Sequence, residues 1–347
     1  MNILKVLTDR RVKGNIGEDA VCKYLKKKKY KILHRNYVAD GHEIDIIAEE
    51  KEHICFVEVK SRTEGAANPY DMLPRDAVDI KKLDPTVPVY AIGKIGRDAE
   101  GEFAADLMAQ HGVDISHLTV SETEKTGFTD VMSVVGGQRS FFTFSGANAT
   151  FGYDDIPWDS LNVKIFHLGY LLLLDRVDAG DGVRILKKAR DMGMITSVDM
   201  ISGSAEKYAS VIPCLPYVDY LIVNETEAAR IVGMPEDTEI KILAQKLCDL
   251  GAKNVIIHTP AGAIITSSDG YLEMPSFKLP DGYIRGTTGA GDAFCSGALI
   301  GIYRGEGRAQ ILEYATLAAA ASLRTVDATG GVESLDLLAE TVGKQLS

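Results

Sequence analysis

Between Lys164 and Thr259 four apolar runs recur, "KIFHLGYLLL", "MITSVDMI", "VDYLIVN" and "NVIIHT", and none alternates cleanly between apolar and polar. A strand with one wet face alternates. A run that is apolar almost throughout is a strand covered on both faces, as in parallel sheets. Between the runs lie "DGVRILKKARDMG", "ETEAARIVG" and "IKILAQKLCDLG", segments of helical spacing that end on glycine, the usual residue after a helix. Strand and helix in this rhythm predict an α/β fold, a doubly wound, mostly parallel sheet with flanking helices. "TGFTDVMSVVGGQRSFFTFSG" interrupts it with two alternating segments around Gly136-Gly137, a predicted hairpin.

The stretch "GTTGAGDAFCSG", Gly286 to Gly297, precedes the apolar run "ALIGIY". Gly289, Ala290 and Gly291 carry almost no side chain, so an anion can approach their N–H groups at the positive end of the following helix. Asp292 stands at that helix start. One reading makes it a helix cap. The other makes it a general base, taking a proton from a hydroxyl while the N–H groups steady a transferring phosphoryl group.

These residues closely resemble the C-terminal signature of the PfkB, or ribokinase-like, sugar kinases, and the resemblance covers most of residues 76–347. "VYAIGKIGRDAEGEF" resembles an early strand and its turn, with Gly96, Asp98 and Gly101. "VNETEAA" matches an N-x-x-E element through Asn224 and Glu227, and "HTPAGAI" a nucleotide loop through Thr259 and Gly262. The resemblance implies ATP-dependent phosphorylation of a sugar or sugar-like alcohol. Asp292 would be the base and Gly289, Ala290 and Gly291 the anion hole. Asn224 and Glu227 would order Mg²⁺, and Thr288, Thr259 and Gly262 would lie at the nucleotide. Simpler readings stand beside these: Asn224 and Glu227 as a helix cap, Thr259 as a strand end, and Asp199 as either a strand-end residue or a site residue.

Two departures concern the acceptor side and the metal. Gly286 stands where many relatives carry Asp. The family's opening strand, its substrate-binding Asp and its Gly-Gly helix are not found; "MLPRDAVDIKKLDP" joins that helix midway, with Arg75 about where Asn is expected. Poor phosphorylation of common sugars, with ATP binding retained, is the expectation.

Upstream, "KILHRNYV", "HEIDIIAEE" and "HICFVEVKS" read as three strands after a helical segment, "NIGEDAVCKYLKKKKY". Period two puts Glu58 and Lys60 on one strand face. Paired carboxylates with a Lys can serve a metal-dependent nuclease, and they are also common on a solvated strand. This segment resembles the YraN family, small bacterial proteins with a restriction-endonuclease-like fold. Glu18, Asp45, Glu58 and Lys60 match its site positions, and the resemblance fades after residue 63. The expected domains are a YraN-type fragment over residues 1–70 and a kinase domain over 71–347, a fusion of two partial sequences. The helix and strand of residues 75–93 are expected to join the kinase sheet.

Charge separates the same two regions. Residues 1–63 hold 14 Lys+Arg against 10 Asp+Glu, and the remainder 24 against 39. "KYLKKKKYK" is either a phosphate-binding patch, which makes nucleic acid a partner, or a solvated helix end. No run is apolar enough to span a membrane, no signal-peptide core opens the chain, and five scattered cysteines form no CxxC pair. A cytoplasmic protein is expected, with monomer and homodimer both open.

Overall fold

The structure, a computed structural model, describes residues 21–23, 25–27, 29–39, 42–50, 53–57, 75–133, 139–201, 205–325 and 330–343. The chain divides into two compact units, residues 1–66 and 67–347. No helix among the described residues is long and apolar enough to cross a membrane.

In the first unit, residues 21–23 and 25–27 are helical. Strands β1 (Lys31–Ala39), β2 (His42–Glu50) and β3 (His53–Val57) follow as an antiparallel sheet in chain order. Ile46 and Ala48 of β2, on one strand face, pack with Cys22 of the helical segment, with Val21, Leu25, Tyr30 and Ile32 around them. Lys23, Lys26, Lys27 and Lys29 are exposed.

The second unit begins with α1 (Arg75–Leu83), β4 (Tyr90–Gly96), α2 (Ala99–Gln110), β5 (Asp114–Ser121), β6 (Phe128–Ser133) and β7 (Arg139–Phe144). It continues with β8 (Ile165–Leu171), α3 (Gly182–Asp191), β9 (Ile195–Met200), β10 (Tyr220–Asn224), α4 (Glu225–Val232) and α5 (Ile240–Asp249). Strands β11 (Asn254–Thr259), β12 (Gly262–Ser267) and β13 (Gly270–Pro275) lead to α6 (Ala290–Arg304), α7 (Arg308–Ser322) and a short α8 (Leu335–Leu338).

Six strands form one sheet in the order β13-β12-β11-β10-β9-β8. The pairings from β8 to β11 are parallel, and β12 and β13 add antiparallel. The apolar runs have two faces to cover. Leu221, Val223, Val255 and Ile257 pack into one core with Ile185 and Leu186 of α3 and Leu243 and Leu247 of α5. Ile222, Ile256 and Ile265 pack into another with Phe294, Ala298 and Leu299 of α6 and Ile311 and Leu312 of α7. Helices on both faces leave no wet side, so the strands do not alternate.

The predicted hairpin forms β6 and β7, in register from Phe128 opposite Phe144 to Ser133 opposite Arg139; its Gly136-Gly137 turn lies outside the described residues. The expectation for residues 75–93 holds in part. Helix α1 packs along α6. Strand β4 pairs in parallel with β5 across the α2 crossover, and among the described residues it is not hydrogen-bonded to the six-stranded sheet. Its partner is the next strand in the chain, a local βαβ closure, and β8 stays the edge of the larger sheet.

Candidate functional site

Helix α6 starts at Gly289, which has φ 83° and ψ −1°, a left-handed conformation that glycine adopts without strain. That turn brings Gly291 and Asp292 to the wall of a cleft of about 100 Å³, shared with Asp199, Met200, Ile222, Asn224, Glu227, His258 and Cys295. A Cβ at Gly291 would meet only His258 Cε1, at 3.7 Å, so protein packing alone does not demand glycine there.

The Asp292 carboxylate is engaged by residues from two other elements. Its Oδ1 accepts a 2.5 Å hydrogen bond from the Tyr170 hydroxyl, and its Oδ2 lies 3.2 Å from Arg75 Nη1. Both Asp292 and Arg75 side chains are largely buried, at 16% and 14% exposure. Tyr170, one residue before the end of β8, has φ 61°, unusual for a residue with a Cβ. Burial and then the Asp292 charge push its phenol well above the ordinary range, so it stays a donor.

Behind Asp292 sits an acidic group. Oxygens of Asp76, Asp199 and Asp292 lie within 4.8 Å of one another. Burial raises the Asp76 and Asp199 carboxyls, and for Asp199 the Asp76 charge adds to it. His167 lies between them, its Nε2 3.7 Å from Asp76 Oδ2 and 3.6 Å from Asp199 Oδ1. Burial alone would lower its pKa; the neighbouring Asp76 and Asp199 carboxylates outweigh that and raise it. On the other wall, burial lowers His258 to about 4, and its ring packs on Phe294 at 4.7 Å.

Asn224 and Glu227 form a reciprocal capping box at the start of α4. Asn224 Oδ1 accepts from Glu227 N at 2.9 Å, and Glu227 Oε2 accepts from Asn224 N at 3.0 Å. The cap reading is therefore real, and the same cap fixes both residues at the cleft wall. Thr259 and Gly262 behave otherwise. Thr259 Oγ1 accepts from Gly262 N at 3.2 Å across the β11–β12 turn, and a Cβ at Gly262 would collide with Met274 O at 2.4 Å. They shape a hairpin, and neither is among the residues lining the cleft. Thr288 is half-buried one residue before the helix cap. Asp98 caps α2 by accepting from Gly101 N at 2.9 Å, a structural corner.

Of the second predicted group, Glu18, Glu58 and Lys60 lie outside the described residues; the Asp45 backbone is in β2 and its side chain is not described. Sequence reasoning passed over Tyr170, Asp76, His167 and His258 as site residues. Tyr170 lies within the apolar run of β8, and nothing local signals a contact made across 122 positions.

Known proteins resemble both parts. The sequence matches the pfkB family of carbohydrate kinases over residues 77–335, and the chain belongs to that family. It is 27% identical over 252 residues to a ribokinase of Arabidopsis thaliana, a match covering 72% of this chain and 65% of the relative. The structure of Arabidopsis ribokinase complexed with ribose and ATP superposes with a TM-score of 0.69 at 22% identity, covering 90% of this chain and 94% of that one. Aminoimidazole riboside kinase from Salmonella enterica, complexed with aminoimidazole riboside and an ATP analogue, gives a TM-score of 0.64 at 20% identity, covering 79% and 90%. Residues 17–89 match the uncharacterised protein family UPF0102, to which the N-terminal part belongs. A UPF0102 protein of Thermotoga petrophila is 44% identical over 76 residues, covering 22% of this chain and 68% of the relative. One from Acetivibrio thermocellus is 44% identical over 77 residues, covering 22% and 56%. The two family matches overlap at 77–89, across most of α1 and the approach to β4.

Proposed function

We propose that the chain transfers the γ-phosphoryl group of ATP to a hydroxyl of a sugar or sugar-like alcohol. One observation carries this reading: Asp292, in the first turn of α6 behind a left-handed glycine, turns its carboxylate into a cleft and not onto its own helix. There it accepts the acceptor's proton as the oxygen attacks. The N–H groups of Gly289, Ala290 and Gly291, at the positive end of α6, receive the oxygens of the transferring group. The Tyr170 hydroxyl fixes the Asp292 rotamer. The oxygen donors of Asn224 and Glu227, held at the cleft wall by their cap, suit Mg²⁺, which when bound with ATP neutralises phosphate charge. Thr288 stands next to the anion hole as a nucleotide contact. Thr259 and Gly262 serve the nucleotide through the shape of their turn.

Kinship with ribokinase favours a pentose or riboside acceptor. The acceptor side is also where activity is held back. Arg75 occupies one oxygen of Asp292, which an acceptor hydroxyl would have to compete for. Phosphoryl transfer depends mainly on positioning, so turnover on free sugars is expected to be poor while ATP binds normally. Calorimetry with ATP and Mg²⁺, paired with ADP release across pentoses, hexoses and ribosides, tests both claims. No ATP binding would remove the kinase reading, and vigorous turnover on a free sugar would remove the claim of impairment.

A further inference from the structure

Three different ligand atoms surround one ring nitrogen in the second unit. His167 Nε2 lies 3.6 Å from Asp199 Oδ1, 3.7 Å from Asp76 Oδ2 and 3.9 Å from Cys295 Sγ. The two oxygen separations are too long for good hydrogen bonds. They are a few tenths of an ångström longer than the edges of a tetrahedron around zinc, which come to roughly 3.3–3.5 Å for bonds of about 2.0 Å to nitrogen or oxygen and 2.3 Å to one sulfur. Ligand atoms of His167, Asp199 and Cys295 all lie within 4.8 Å of one another.

The surroundings are built as a coordination sphere is built. The other imidazole nitrogen, Nδ1, has its own partner in Ser197 Oγ at 3.2 Å, which leaves Nε2 facing the group. Asp199 Oδ1 is oriented by the Tyr170 N–H at 2.9 Å. Asp76, whose side chain is 9% exposed, keeps its Oδ1 buried with no hydrogen-bond partner. A buried carboxylate oxygen left without a donor is costly, and a cation beside it removes that cost. Asp199 and Cys295 line the cleft, so an ion has a path in.

We propose that this group is a zinc site, in which His167 Nε2, one Asp199 oxygen and Cys295 Sγ ligate the ion, with the Asp76 carboxyl beside His167. Imidazole and thiolate together select zinc over magnesium. As the metal–sulfur bond forms, the Cys295 thiol proton leaves to solvent. It uses other residues than the Mg²⁺ position at Asn224 and Glu227 in the same cleft, and it does not depend on the kinase reading. An ion there would sit beside Asp292, since the Asp76, Asp199 and Asp292 oxygens are within 4.8 Å of one another.

Co²⁺, which takes zinc sites and absorbs light, is the probe. The untagged full chain, stripped with chelator, is titrated with Co²⁺ and followed by absorbance. One equivalent is expected to bring tetrahedral d–d bands and a near-ultraviolet thiolate-to-metal band, both erased by one equivalent of Zn²⁺. The thiolate band should vanish in Cys295→Ala and Cys295→Ser and persist in Cys214→Ala; His167→Gln should weaken Co²⁺ binding at least tenfold. Circular dichroism and melting of each variant confirm a folded chain, and having two Cys295 variants guards against one that fails. No thiolate band at one equivalent, or a band that survives in a folded Cys295 variant, overturns the assignment.

Discussion

Helices α6 and α1 lie against each other, and they meet the same interior with opposite success. Helix α6 buries Ala293 through Ile302, a run of apolar and small residues, and keeps its one carboxylate, Asp292, at the cleft end. The buried residues of α1 are Asp76, Val78, Asp79 and Leu83, and on the i, i+3, i+7 face of Asp76, Asp79 and Leu83, which ought to be apolar, two of the three are aspartates. Asp79 is fully buried and neither carboxylate oxygen has a hydrogen-bond partner. A helix shaped for its core does not look like this; conflict between local sequence and burial marks a segment serving two demands. Helix α1 lies almost wholly where the UPF0102 and pfkB matches overlap.

The largest effect should come from the well-fitted helix. Asp292→Asn is expected to lower turnover by roughly 10²–10⁴ while ATP affinity stays nearly constant, because it removes the proposed base and leaves the nucleotide contacts alone. Steady-state kinetics beside calorimetry reads both. An Asp292→Asn variant with full activity would break the contrast at its root, for α6 would then be no more functional than α1.

Two buried ionisable groups sharpen the contrast through pH. His258, packed on Phe294 of α6, is held neutral with its pKa lowered from 6.5 to about 4. Its contribution is present above pH 6.5 and is lost as pH falls toward 4, at most about 3 kcal/mol and less for a ring partly open to the cleft. His258→Phe should therefore flatten the acid limb of a stability–pH curve between pH 6.5 and 4. Asp79 runs the other way. Burial and the Asp76 charge raise its carboxyl well above 3.8, so its stabilising share is complete below 3.8 and declines as pH rises through the folded value. Asp79→Ala is expected to stabilise the unit by about 1–3 kcal/mol near neutral pH and by less at pH 4. Urea unfolding at the two pH values checks it. A destabilised Asp79→Ala would mean the carboxyl has an essential partner, and α1 would no longer count as ill-fitted.

How much of this could be read in the sequence follows the same divide. The runs around Leu221–Val223 and Val255–Ile257 announced a sheet covered on both faces, because burial on each side suppresses alternation. Gly289–Asp292 pointed to the proposed site because close approach of an anion would need bare backbone, a local property. Asn224 and Glu227 were legible both as a cap and as a site pair, since a capping box is a three-residue pattern. What stayed hidden is set by distance along the chain. Arg75 and Tyr170 reach Asp292 from 217 and 122 positions away, and no periodicity encodes such a meeting. The isolation of β4 from the main sheet was hidden too, because its residues suit a central strand and only the topology shows which partner it takes. Helix α1 was expected from its resemblance to the family's early helix, and its misfit emerged only once α6 was known to cover it.

The smallest expected effect tests the point where the two helices touch. Arg75 Nη1 lies 3.2 Å from Asp292 Oδ2, both side chains largely buried. In the family pattern an Asn stands about there, a neutral donor that can hold a hydroxyl without claiming the carboxylate. Replacing Arg75 by Asn removes a positive charge whose pull on Asp292 must be overcome each time an acceptor hydroxyl takes its place. The net worth of a partly buried pair is about 1 kcal/mol, so Arg75→Asn should raise turnover on a ribose-like acceptor by roughly three- to tenfold. ATP affinity should not move, since Arg75 is not among the residues lining the cleft with Asn224 and Glu227. The rise should be suppressed entirely in the Arg75→Asn, Asp292→Asn double variant, because it acts through that carboxylate. A fall in turnover for Arg75→Asn would reverse the sense of the contact. The guanidinium would then be the group that aims Asp292, and α1, despite its buried aspartates, would be part of what makes α6 work.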